Sequence, residues 1–125
     1  MHEFSVASSI VSSVAAEAAR RGASRVTDVY LGLGELNFLC MEQLVYAIGI
    51  ISEHTALEGA TVHIENRPAR IRCNSCGYEG GAQHEEFGEF HQSIPLLSCP
   101  SCGGSTDILE GRECEIVNAT MVMEE

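Results

Sequence analysis

A chain of 125 residues with 45% apolar content suffices for one domain, or one domain carrying a small insert, and is too apolar for a disordered one. Seven basic against 18 acidic residues leave a formal charge of −11, which repels phosphate backbones and anionic membranes and favours cations or partners with basic patches. No apolar run approaches the ~20 residues of a membrane span, the opening Met1-His2-Glu3 is not a secretory leader, and the chain is expected in the cytoplasm.

Residues Phe4 to Arg21 read as a helix, because Val6, Ile10, Val14 and Ala18 recur every four places and Ala7 and Val11 widen the stripe. Ser5 is the expected N-cap and Gly22 the left-handed stop. Arg25 to Leu33 reads as a strand with Val29, Leu31 and Leu33 on one face and Val26, Asp28 and Tyr30 on the other. Gly32 and Gly34 then open a loop through Glu35, Leu36 and Asn37.

A second helix, about Cys40 to His54, carries Met41, Leu44, Val45, Ile48 and Ile51 on its core side, and Thr61 to Arg67 is a further strand. From Ala69 to Glu110 there is little periodicity and much glycine; alternation resumes from Cys114 to Met123. The last strand most simply rejoins the sheet of the first two. The expectation is therefore an α+β fold with two helices on a small, about three-stranded sheet. A zinc-ribbon-like lobe at residues 69–110 is inserted into a domain made of residues 1–68 and 111–125.

Cys73-Asn74-Ser75-Cys76-Gly77 and Cys99-Pro100-Ser101-Cys102-Gly103 repeat one device, with 22 residues between the pairs. Two residues between cysteines let both sulfurs reach one ion, and the glycine lets the backbone turn its amides toward the thiolates. Four such sulfurs make a closed tetrahedral site suited to structural zinc, with iron as the rival ion and disulfides disfavoured in a reducing compartment. So small and weakly apolar a lobe needs the metal to fold. Cys40 and Cys114 read as small buried or half-buried side chains, and His54 and His63 as surface residues.

The N-terminus carries a second metal-binding pattern. The imidazole and backbone nitrogen of His2, with the nitrogens of Met1 or Glu3, can form fused chelate rings around a planar ion such as nickel(II) or copper(II). A fourth ligand must come from water, a second chain, or a histidine of the cysteine lobe, His84 or His91.

Met1-His2-Glu3 before an Ala/Ser-rich helix, Leu33-Gly34-Glu35-Leu36, Pro68-Ala69-Arg70 leading into the first cysteine pair, the second pair, and Glu110-Gly111-Arg112-Glu113 occur in this order along the whole chain. Together they resemble the HypA/HybF family of nickel-insertion chaperones for [NiFe]-hydrogenase. The resemblance implies a nickel metallochaperone and not an enzyme. Nickel would sit at His2 with Glu3 and Met1 beside it, and zinc on Cys73, Cys76, Cys99 and Cys102. A HypB-like maturation GTPase and the hydrogenase large subunit are the implied partners; nucleic acid and membrane are not, and a homodimer stays open. The loop from Asn37 to Met41 lacks the proline expected before Glu42. A zinc-ribbon module that binds nucleic acid or protein is the alternative, and it accounts for the cysteines alone.

Overall fold

The computed structural model describes residues 2–37, 39–87 and 92–123, with the backbone alone for residues 2, 85–87 and 92–94. In chain order the elements are α1 (His2–Arg21), β1 (Ala23–Gly34), α2 (Met41–Ile51), β2 (Thr61–Arg67), β3 (Arg70–Cys73), β4 (Glu79–Gly80), β5 (Gln83–Phe87), β6 (Gln92–Leu96), β7 (Thr106–Glu110) and β8 (Cys114–Met123). They divide into two compact units. One comprises residues 1–32, 38–65 and 115–125, the other residues 33–37 and 66–114.

In the first unit, α1 begins at His2, earlier than the expected Phe4, so Ser5 lies inside the helix and caps nothing. An acidic Glu3 in the first turn and Arg20 and Arg21 in the last suit the helix dipole, and Gly22 ends the helix at φ 72°. Ala7, Ile10, Val11, Val14 and Ala18 are buried as their spacing predicts. The helix packs against α2. There the buried residues are Leu44, Ala47 and Ile48, a narrower set than expected: Met41 and Val45, predicted for the core, are 38% and 39% exposed. α2 also stops at Ile51, not at His54, because His54 adopts φ 65° and its amide donates to the Glu58 carboxylate at 2.7 Å.

The sheet of this unit has the order β2-β1-β8. Val29, Leu31 and Leu33 of β1 are buried as expected, but so is Val26, placed by alternation on the polar face. Its amide bonds to the Ala56 carbonyl at 2.8 Å, so the loop after α2 covers the start of the strand. Leu57, in that loop, is 1% exposed and completes the core. Ser24 and Thr27 hydroxyls reach the Val122 and Thr120 carbonyls at 3.1 and 3.4 Å, the falling order of antiparallel neighbours.

The second unit holds strands that the sequence reading did not resolve. β3 pairs antiparallel with both β4 and β7, and β5 with β6 as a hairpin. Ala69, Ile71 and Cys73 are all buried, an alternation too short to stand out among glycines and polar residues.

Candidate metal centre

Four sulfurs converge in the second unit. The Cys73, Cys76, Cys99 and Cys102 Sγ atoms all lie within 4.8 Å of one another, with Cys73 to Cys102 at 3.5 Å and Cys76 to Cys99 at 3.6 Å. A tetrahedral zinc with ~2.3 Å bonds sets its sulfurs about 3.8 Å apart, so the group fits that ion. Among the described residues it is the one cluster of three or more side chains able to hold a metal.

The two knuckles are built alike. Gly77 at φ 79° and Gly103 at φ 77° each turn the chain so that their amides reach back to the Cys73 and Cys99 carbonyls, at 3.2 and 2.8 Å. This turn aims the Ser75 and Cys76 amides at Cys73 Sγ, 3.3 and 3.4 Å away, and the Ser101 amide at Cys99 Sγ, 3.3 Å away. β3 carries Cys73 into the knuckle, and the Tyr78 carbonyl accepts the Cys73 amide at 2.7 Å. Cys73 and Cys99 are buried, whereas Cys76 and Cys102 are exposed.

The electrostatics follow from those amides. Donation by Cys76 and then Ser75 brings the Cys73 thiol down to about 6. Burial opposes the shift at Cys99, but the Cys102 and Ser101 amides still lower that thiol. Cys102 goes the other way: the Gly104 amide favours its thiolate, yet the neighbouring sulfurs of Cys73, Cys76 and Cys99 push it up to about 12. A cation resolves the conflict by letting all four ionise together. The closed all-sulfur set is that of a structural zinc site and leaves no position for chemistry on a substrate.

Of the expected nickel residues, Met1 lies outside the described residues and His2 is described only as the first residue of α1. Glu3 is half-buried, and its Oε2 accepts the Cys40 amide at 3.1 Å, which ties the first turn of α1 to the N-cap of α2. Cys40, expected to be buried or half-buried, is exposed, and its side chain makes no cap hydrogen bond to α2. Cys114 is half-buried, and burial pushes its thiol up.

The histidines sort into two settings. His84 in β5 is hydrogen-bonded through Nε2 to Glu35, whose other oxygen accepts the Ala69 amide at 3.1 Å; His91 lies outside the described residues. His63 Nε2 meets Asp28 Oδ1 at 2.8 Å while its ring stacks on Tyr30 at 4.5 Å. That cluster was legible only as two polar positions on facing strands.

The comparisons with known proteins agree with this geometry. A family model described as hydrogenase/urease nickel incorporation, metallochaperone, HypA, matches residues 1–121. The HypA hydrogenase maturation factor of Methanothermobacter thermautotrophicus is 39% identical over 119 residues, covering 94% of each chain. That of Methanocaldococcus jannaschii is 34% identical over 131 aligned positions, covering all of both chains. The solution structure of the nickel metallochaperone HypA from Helicobacter pylori has the same fold, with a TM-score of 0.63 at 19% identity over 98% of each chain.

Proposed function

This chain belongs to the HypA family of hydrogenase nickel metallochaperones, and from that premise we propose that it binds Ni(II) at its N-terminus through His2, with Met1 and Glu3 completing the chelate. The supporting observation is that α1 starts at His2. The amide of residue 2 precedes every carbonyl of the helix that could accept it, so a terminal chelate through that nitrogen does not compete with the helix's own bonds. Glu3, tied to Cys40, holds that terminus against α2.

In this reading, residues 1–68 with 111–125 form the nickel-binding domain. Residues 69–110 form the zinc lobe, its zinc on Cys73, Cys76, Cys99 and Cys102. The protein works in the cytoplasm and acts with a HypB-like GTPase. It delivers nickel to the hydrogenase large subunit, and it makes no use of nucleic acid or membrane. A terminal site of imidazole, amine and amide nitrogens can be dismantled by protonation or by a partner, as a carrier requires.

Nickel titration of tag-free protein against His2→Ala tests this. The wild type is expected to take one nickel besides one zinc, and the variant to keep its zinc and lose the nickel. Stoichiometric nickel in the variant rules the N-terminal site out.

A further inference from the structure

The sheet of the first unit has two edges, and they are built differently. β2 is seven residues long, carries Glu65 and Arg67, and runs into Pro68, features that discourage a further strand. β8 is ten residues long and, among the described residues, has β1 as its one neighbouring strand. From Ile116 to Met123 it holds no charge, proline or glycine, and Ile116, Val117 and Met123 stand 38%, 49% and 55% exposed. A groove of about 560 Å³ lies between it and α1, lined by Val14, Glu17, Arg21, Ile116, Met121 and Met123. An uncharged edge of this length is a template for strand addition, because its outward amides and carbonyls have no strand to pair with.

Charge identifies the strand that fits. Each copy of the chain carries −11, so two copies approach most easily where carboxylates are absent or offset. The uncharged run 116–123 meets the first condition, and the ends of β8 meet the second. Arg20, Arg21 and Arg25 are the basic residues of the first unit, and all three lie where the end of β8 meets the start of β1. The Ser24 hydroxyl donates to the Val122 carbonyl there at 3.1 Å, and Arg21 lines the groove with Met123. Glu115, the one carboxylate in β8, stands at the opposite end. When two such strands run antiparallel about a two-fold axis, the start of each lies against the end of the other. Glu115 of each copy then faces the arginine end of its counterpart, twice over.

We propose that β8 is a self-association edge. Two copies join β8 to β8 antiparallel and merge two three-stranded sheets into one of six, in the order β2-β1-β8-β8-β1-β2. The added strand covers Ile116, Val117 and Met123, and the side chains it turns toward α1 enter the groove. This inference goes beyond the nickel-carrier reading and does not rest on it, since none of the proposed metal residues lies on β8.

Sedimentation velocity of the zinc-loaded, tag-free full-length chain over a wide range of concentration is the first measurement, and a reversible dimer is the expected result. Ile116→Lys and Val117→Lys charge opposite faces of the edge, and each is expected to weaken the dimer at least tenfold. Both positions are exposed, so zinc content and melting temperature should stay near those of the wild type. Arg21→Glu and Glu115→Arg should each weaken association, and the two together should restore it, which a change in monomer stability does not imitate. Glu124→Gln/Glu125→Gln removes carboxylates that follow Met123 in the sequence and should strengthen it. Amide exchange across residues 115–123 should slow as concentration rises, while that of α2 does not. A chain that stays monomeric at every concentration overturns the proposal. So does a dimer whose dissociation constant stays within twofold of wild type in both lysine variants, because its interface then lies elsewhere. A charge swap that restores nothing, or a glutamine pair that loosens the dimer, equally rules out the antiparallel β8 pairing.

Discussion

Gly34 and Gly111 meet backbone to backbone: a Cβ on Gly34 would fall 2.2 Å from the Gly111 carbonyl oxygen and 2.4 Å from its carbon. That same carbonyl accepts the Leu36 amide at 2.6 Å, while the Gly34 amide donates to the Glu113 carbonyl at 2.8 Å. The Glu35 amide bonds the Arg67 carbonyl at 2.9 Å. Residues 33–37 are thereby stitched to both ends of the 66–114 run. The Leu33–Leu36 and Glu110–Glu113 motifs are structural at this point, since each glycine is there because no side chain fits.

Gly34→Ala should therefore destabilise the fold by about 3 kcal/mol, as overpacking against immovable backbone does. Thermal unfolding is the measurement. Gly81→Ala is the control, because a Cβ there meets nothing within 4 Å. Equal melting temperatures for the two variants would contradict the close approach.

The zinc site should release protons as it fills. Cys73 sits at about 6 against an ordinary 9.0, so in the metal-free chain its stabilising effect is full above about pH 9. The effect shrinks as pH falls through that window and is gone below about 6. Cys102, pushed up to about 12, stays protonated across that window in the folded and the unfolded chain alike, and gives up its proton only when the ion arrives. Calorimetric zinc titrations in buffers of different ionisation enthalpy should show more protons displaced per zinc at about pH 6 than at about pH 8. A count that does not change with pH is the adverse result.

Cys76→Ser should lose zinc and melt the strands of residues 69–110, while the α1–α2 core survives. A flexible loop in place of the lobe costs closure entropy that rises only slowly with its length. Amide-resolved NMR would show dispersed signals for residues 4–33 and collapsed ones for the lobe. Loss of both sets together would mean that the two units do not fold separately.

The sequence made the long periodic elements and the metal-binding set legible. The buried stripe of α1 and the sulfur quartet were readable because four-residue recurrence and the Cys-x-x-Cys spacing each have one physical meaning. Element ends were less legible. The start of α1 turned on whether Glu3 or Ser5 governs the first turn, and the stop of α2 on a positive φ at His54 that no pattern announces. The strands of the lobe escaped because they are short and pair with glycine-bearing partners, as Ile71 does with Gly80, so no long alternation marks them. Pairings across long separations, Glu35 with His84 and Asp28 with His63, depend on the fold and lie beyond any local reading.

His63 should hold the Asp28 carboxyl below its usual range, as its hydrogen bond to Oδ1, and then that of Thr27, favours the ionised form. The stabilisation is present above the unfolded carboxylate value and is lost as pH falls through the lower folded one. In His63→Ala the Asp28 carboxyl should titrate nearer to its ordinary value, as followed by carboxyl 13C shifts. An unmoved titration would assign the shift elsewhere.

Glu3 provides the sharpest separation of structure from metal binding. Its carboxylate accepts the Cys40 amide and lies in the first turn of α1, where a negative charge suits the helix dipole. As a nickel residue it is proposed to act through the backbone nitrogen, which every substitution except proline keeps. Glu3→Gln retains an acceptor oxygen and should keep both stability and nickel. Glu3→Ala loses the hydrogen bond and the charge, and should cost about 1 kcal/mol. Its nickel affinity should fall by a small factor at most, because the terminus is held less firmly while the nitrogens remain. Paired nickel titrations and melts of the two variants distinguish the cases. If both lose nickel by tenfold or more with melting temperatures unmoved, the carboxylate is itself a ligand and the all-nitrogen chelate is wrong. If only the alanine variant changes, and chiefly in stability, Glu3 is the strut that positions the terminus.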